Sequence, residues 1–244
     1  MPLADGSVLE TAPAARPPSA TARAVWTIVV GIAASLFLLF IIGPVAGLVA
    51  AGGTRGVARL ATDVELRASL ALTVITATTA TLLGVIGGTP LAYLLARRAF
   101  RGRAALTALL DLPLVIPHPV AGIALLLVLG RGSPVGGVLY DLGLRIAGSP
   151  AGIVCAMLFV SAPLYVSAAR EAFARVDARY EAVARTLGDT AWRAFGRVTL
   201  PLAARGLGAA SIVMWARAVS EFGAIVVLTY NPKVASVLDR KSVV

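Results

Sequence analysis

The chain has 244 residues, of which 58% are hydrophobic and 14% charged, with a mean hydropathy of +0.87. A soluble domain carries about 25% charged residues, so the apolar excess belongs in lipid. The formal net charge of +10 comes from arginines lying between apolar runs, which fits positive-inside topology and, with no reader motif present, argues against nucleic-acid binding.

Residues 1–24 are rich in Ala and Pro and read as a disordered cytoplasmic tail. The apolar run that follows, residues 25–50, exceeds the roughly 7–15 residues of a signal-peptide core, so it reads as a retained membrane helix. A crossing takes about 20 apolar residues. Four further runs qualify: residues 68–96, 104–129, 151–169 and 201 to about 228. Residues 25–238 are therefore expected to form one all-α, polytopic transmembrane domain, because the polar loops are too short to fold alone. Arg97, Arg98, Arg101 and Arg103 fill the loop between the second and third runs with no acid nearby, which places that loop, the N-terminus and the segment at about 170–200 on the cytoplasmic side. The loops holding Arg55, Arg59, Asp63 and Glu65, and residues 130–150, then fall outside. In the second run, Thr73, Thr76, Thr78, Thr79 and Thr81 can bond their own helix or another, and Gly84, Gly87 and Gly88 favour close packing.

The third run carries Pro113, Pro117 and Pro119, which cannot all sit in one regular helix. Backbone freed at membrane depth is tolerated where it is buried or lines a cavity. The segment 112–122 either lines a path or is a kinked packing helix. His118, between two prolines, donates to a ligand or satisfies a freed carbonyl, with the structural role favoured. Asp111 is a membrane charge within possible reach of an arginine of the inner loop. The fourth run contains the lone Cys155, which cannot form an internal disulfide; with one His and one Cys no zinc-type site is expected. In the fifth run, Arg217 and Glu221 stand at i and i+4 and can pair. A charge at mid-membrane costs at least ~2.5–3.5 kcal/mol, so the pair is expected to face a bundle interior or water. Residues 239–244, DRKSVV, read as an artificial tail of the kind a sequencing adapter encodes, and the natural chain is expected to continue.

Between the fourth and fifth runs lies YEAVARTLGDTAWRAFGRVTLP, residues 180–201. Residues 180–187 can form a short helix, Gly188 can turn the chain with a positive φ, and residues 191–198 can form a second helix with Trp192, Phe195 and Val198 on one side. A polar, amphipathic knob of this kind suits a groove on a soluble partner, or a headgroup layer.

This segment resembles the cytoplasmic coupling loop of ABC importer permeases: Glu-Ala-Ala, three residues, Gly, nine residues, an aliphatic, one residue, Leu-Pro. Aligned on Gly188, residues Val198, Leu200 and Pro201 fall in place, as do Val183 and Ala184. The family's Glu falls on Ala182, and Glu181 lies one residue early. TPLAYLLARRAFRG (residues 89–102), DLPLVIPHPVAGIALLLVLGRGSPVG (111–136) and WARAVSEFGAIVVLTYNPKVASV (215–237) are most similar to tungstate/molybdate permeases, with sulfate/thiosulfate permeases next. The resemblance implies a helix bundle missing its last helix, in a plasma-membrane importer. Its implied partners are a second permease copy, a cytoplasmic ATPase dimer, an extracytoplasmic oxyanion-binding protein and lipid. It also implies no catalytic residue or cofactor in this chain: ATP and Mg belong to the ATPase, and no G-x-x-x-x-G-K-[ST] loop is present. Asp111, Pro113, Pro117, His118, Pro119, Arg217 and Glu221 become candidates for the oxyanion path or its gate. An ion-coupled secondary transporter, which would call for inverted repeats, and an intramembrane enzyme are the competing classes.

Overall fold

The computed structural model describes residues 19–229. Residues 1–18 of the expected disordered tail, and the whole of the expected artificial tail, lie outside them, while residues 20–24 already belong to the first helix. Every regular element among the described residues is helical. The chain falls into two compact units that divide between Thr62 and Asp63.

The first unit is built on α1, Ala20–Thr62. Its apolar stretch, Arg23–Gly53, has 31 residues, about 46 Å at ~1.5 Å per residue and more than the ~30 Å of hydrocarbon to be crossed. The helix carries on through Arg55 and Arg59, where an outer loop was expected. Its run of Ala, Gly and Leu contains only one breaker, Pro44, too isolated to end it.

In the second unit, Asp63 starts α2, Val64–Arg97, by accepting hydrogen bonds from the N–H groups of Glu65 and Leu66. There follow α3 (Arg103–Val115), α4 (His118–Leu129), α5 (Pro134–Asp141) and α6 (Pro150–Ala174). Beyond them come α7 (Ala178–Thr186) and α8 (Ala191–Ala194). A π-turn at Phe195–Thr199 then leads into α9 (Leu200–Val219), and α10 (Gly223–Leu228) ends the described chain. Ser133 and Ser149 cap α5 and α6, each with Pro as the next residue.

The centre is a three-helix packing of α2, α6 and α9. Small residues let these helices approach: Ala77, Ala80, Ala92, Ala156, Ala169, Ala203 and Ala210 are all buried. A methyl on Gly84 would collide with Met214, and one on Gly88 with Tyr165, so both glycines serve close packing as expected; Gly87 faces open space and does not. The five threonines singled out in α2 all donate to their own helix, four residues back. Thr78 also accepts from the Trp215 indole at 3.1 Å, a link from α2 to α9. Much of the remaining surface is exposed Leu, Val and Ile, as a lipid-facing surface requires.

Among the described residues, four helices are long and apolar enough to cross a membrane, and the pair α3/α4 makes up to five. That third crossing is not one rod. It bends by 115° at residues 116–117. Pro117 precedes α4 and Pro119 occupies its first turn, where a missing N–H costs nothing, whereas Pro113 is buried inside α3. With 13 and 12 residues, the bent pair reaches about 20 Å end to end at ~1.5 Å per residue. The fifth crossing is also shorter than expected: α9 stops at Val219, and α10 packs on α4 and α6 instead of extending it.

Candidate functional site

Two features carry polar side chains that the bundle does not need for packing alone. The first is the segment between α6 and α9. Asp177 caps α7 by accepting from the Arg179 N–H at 2.9 Å. Gly188, at φ +99°, ends it, with the Gly188 and Asp189 N–H groups returning to the carbonyls of Arg185 and Ala184. Thr190 caps α8, and Arg197 Nη1 meets Asp189 Oδ1 at 3.1 Å across the turn. The expected helix–Gly–helix knob is therefore present. Its second helix, though, has only four residues before it widens into the π-turn.

The knob shows an apolar outer surface: Tyr180, Val183, Leu187 and Trp192 are 59%, 57%, 84% and 78% exposed. Ala182, Gly188 and Pro201 are exposed too, Leu200 is borderline at 36%, and Ala184 and Val198 are half-buried. Glu181 points the other way. Its Oε1 accepts from the Tyr93 hydroxyl at 2.6 Å, and its Oε2 accepts from the Thr199 hydroxyl at 3.0 Å. Tyr93 is one turn from the end of α2 that bears Arg97 and Arg98, so the knob and this arginine-rich end share one side of the bundle. A chain of rings runs inward from exposed Trp192 through Phe195 to Tyr93 and buried Phe173, with centroids 4.7–6.0 Å apart. Sequence spacing did not single out Tyr93, Phe173 or Thr199. Glu181 is the one clue it held, because a carboxylate one position off its motif sits on a different face of the helix.

The second feature is where the two broken helices meet. Gly223, which opens α10, lies so close to the start of α4 that a methyl there would come within 2.8 Å of the His118 Cβ. Gly122 likewise abuts the Ala224 backbone. Glu221 lies at this junction with its side chain 1% exposed. Its Oε2 accepts from Arg217 Nη2 at 2.8 Å, and its Oε1 accepts from the Ala224 N–H at 2.8 Å, capping α10. The same Arg217 nitrogen is 3.1 Å from His118 Nε2, and Arg217 Nη1 is 3.3 Å from the Ser220 hydroxyl. His118 Nδ1 lies 3.7 Å from the Glu221 carboxylate.

The i, i+4 pair expected from the sequence thus forms and is largely buried. His118 joins it from the other broken helix, with its side chain 48% exposed. Pro117 and Pro119 position that histidine; Pro113 does not take part. Asp111 corrects an expectation. It is half-buried in α3, reaches no arginine and joins none of the ion pairs among the described residues, since the inner-loop arginines sit at the opposite end of α3. With neutral histidine the cluster has no net charge, yet a guanidinium and an imidazole stand at its open edge. That arrangement can offer hydrogen bonds to an anion; it has no nucleophile paired with a base. No group of three or more metal-ligating side chains occurs among the described residues.

Residues 88–238, more than half of the chain, match the family described as "Binding-protein-dependent transport system inner membrane component", a stretch that takes in both features. The chain is 47% identical to a molybdate/tungstate transport system permease protein of Thermococcus kodakarensis over 164 residues, 67% of this chain and 61% of that one. It is 43% identical to a molybdenum transport system permease protein of Escherichia coli over 141 residues, 57% and 62% of the two chains. A protein of the same description in Mycobacterium bovis is 42% identical over 165 residues, 68% and 62%. The chain spans about three fifths of the length of these relatives.

Proposed function

We propose, for a chain that belongs to the family of inner membrane components of binding-protein-dependent transport systems, that it is the transmembrane subunit of an ATP-driven importer. It is a multi-pass membrane protein, and its family is one of transport permeases. The cargo we assign is a tetrahedral oxyanion, molybdate or tungstate, in keeping with what the relatives are named for. Sulfate is the nearest alternative.

The observation that carries this reading is the knob. A helix–Gly–helix segment with four large, exposed apolar side chains, on a polar connection beside an arginine-rich helix end, is suited to a soluble partner. Arginine-rich connections face the cytoplasm, so the knob and the N-terminus are assigned there. The partner that fits is an ATPase dimer, which supplies ATP and Mg. A second permease copy completes the pathway, and an extracytoplasmic binding protein delivers the oxyanion. The junction of the broken helices lines the path: Arg217 and His118 meet the passing anion, while Glu221 holds both in place. Pro117 and Pro119 set the break, and Pro113 packs behind it. An ion-coupled transporter is less well supported, because nothing in it would use the knob.

The test is uptake of radiolabelled molybdate into proteoliposomes holding the permease, its ATPase and its binding protein. Uptake should require ATP and stop when the ATPase's phosphate-loop lysine is replaced. Uptake driven by an ion gradient without ATP would overturn the reading.

A further inference from the structure

The packing of α7 poses a mechanical problem. None of its nine residues is buried. If the knob is pushed from outside, little apolar packing makes α7 move with the membrane helices. Among the described residues, Glu181 is the one residue of α7 whose side chain hydrogen-bonds to another element. It binds two at once: the end of α2 through Tyr93, and the π-turn leading into α9 through Thr199.

Thr199 is unusual among the threonines of the bundle. Thr73, Thr76, Thr78, Thr79, Thr81 and Thr89 each give the hydroxyl proton to a carbonyl of their own helix. Fully buried Thr199 gives its proton to Glu181 instead. It closes the π-turn, a widened helical turn of the kind that recurs at functional sites. The two hydrogen bonds have an ionisable acceptor and one is short, as charge-assisted bonds are. The ring of Tyr93 is further held against Phe195 and Phe173.

We infer that Glu181, Tyr93 and Thr199 form an internal strut that transmits displacement of the docking knob to α2 and α9, so that Glu181 is a positioning residue for coupling and not a contact with the ATPase. The inference rests on the importer reading above. The outer apolar face grips the partner; the inward carboxylate makes the grip move the pathway. Breaking the strut leaves the partner bound and its ATP hydrolysis uncoupled from transport.

The experiment uses the complete transporter in proteoliposomes, with Tyr93→Phe, Thr199→Val, Thr199→Ser and Glu181→Gln. Three quantities are read: capture of the ATPase by the permease, ATP hydrolysis, and molybdate taken up per ATP. Tyr93→Phe and Thr199→Val should capture the ATPase as the parent does, and lose about fivefold or more in uptake per ATP, the lower range of a typical coupling free energy. Thr199→Ser keeps the hydroxyl and should keep coupling, which separates the strut from general packing damage. Adding Tyr93→Phe to Glu181→Gln should cost less than it does alone, since both cut the same link. Hydrogen exchange of residues 178–187 should rise in Tyr93→Phe and Thr199→Val with that of α6 unchanged, a readout that needs no ATPase. Full coupling in Tyr93→Phe and Thr199→Val would overturn the inference, as would loss of ATPase capture in Glu181→Gln alone. If the parent shows no ATP-driven uptake, the importer reading fails, and the exchange measurement still decides whether the strut exists.

Discussion

Replacing Glu221 tests whether the junction of the two broken helices is held by charge. The side chain is 1% exposed and has both oxygens engaged, one by Arg217 and one by the Ala224 N–H. Glu221→Ala strands a guanidinium that is only 20% exposed and removes the cap of α10. Breaking one member of a buried ion pair costs about 3–5 kcal/mol. Loss of a cap costs about 0.5–2 kcal/mol. Both losses come from one side chain, so they do not simply add, and about 3–5 kcal/mol is the expected total. Glu221→Gln keeps one acceptor oxygen, enough for one of the two donors, and turns an amide NH2 towards the other, so it should lose somewhat less. Arg217→Met leaves the carboxylate unpaired in the bundle and should be nearly as harmful as Glu221→Ala. The double change Arg217→Met with Glu221→Gln leaves no stranded charge. It should recover part of the loss, with a coupling energy of about 0.5–3 kcal/mol. Denaturant titration in micelles reads these values through Trp215, two residues from Arg217 and bonded to Thr78. If the double variant's loss equals the sum of the two single losses, the pair is not coupled and the argument from charge fails.

Gly84 and Gly122 separate two kinds of crowding. A methyl on Gly84 meets the flexible end of Met214, so Gly84→Ala should cost about 1–3 kcal/mol and be rescued by Met214→Ala. A methyl on Gly122 meets the backbone of Ala224, so no side-chain change should rescue Gly122→Ala; paired thermal-stability measurements check both. Gly188 has a φ of +99° and open space around it, so Gly188→Val should cost about 1–3 kcal/mol of backbone strain and Gly188→Asn clearly less, read as ATPase capture and uptake. Leu187→Glu and Trp192→Glu place charge on side chains that are 84% and 78% exposed. They should abolish ATPase capture while leaving the permease's own stability within about 0.5 kcal/mol; unchanged capture would remove the knob as the docking face.

Much of the fold was legible because its causes are local. Runs of about 20 apolar residues and Gly188 between two amphipathic turns act within one element. The length of the third and fifth crossings was less so. Three prolines announced a break in the third, but neither the 115° bend nor the stop at Val219 followed from the lengths of the apolar runs. The knob's spacing was read correctly, whereas its second helix was expected to run to Val198 and becomes a π-turn after Ala194. A π-turn depends on what its residues touch, here Glu181 and the rings of Tyr93 and Phe173, and those partners lie far away along the chain.

The candidate polar residues show the same division more sharply. Arg217 and Glu221 are four apart in the chain, so helical spacing predicts their pairing, and the turn that follows Val219 keeps them within reach. His118 is 99 residues from Arg217, and only the meeting of two broken helices puts it there. Asp111, read like Arg217 and Glu221 as a membrane charge in want of a partner, lies before the bend and His118 after it. Glu181 looked like a motif residue out of register. In space the offset turns the carboxylate inward, towards a tyrosine 88 residues away. A register shift that spoils the match to a surface motif is thus what a buried strut requires. The outward place it leaves is filled by Ala182, which can face a partner without bringing a charge into the contact.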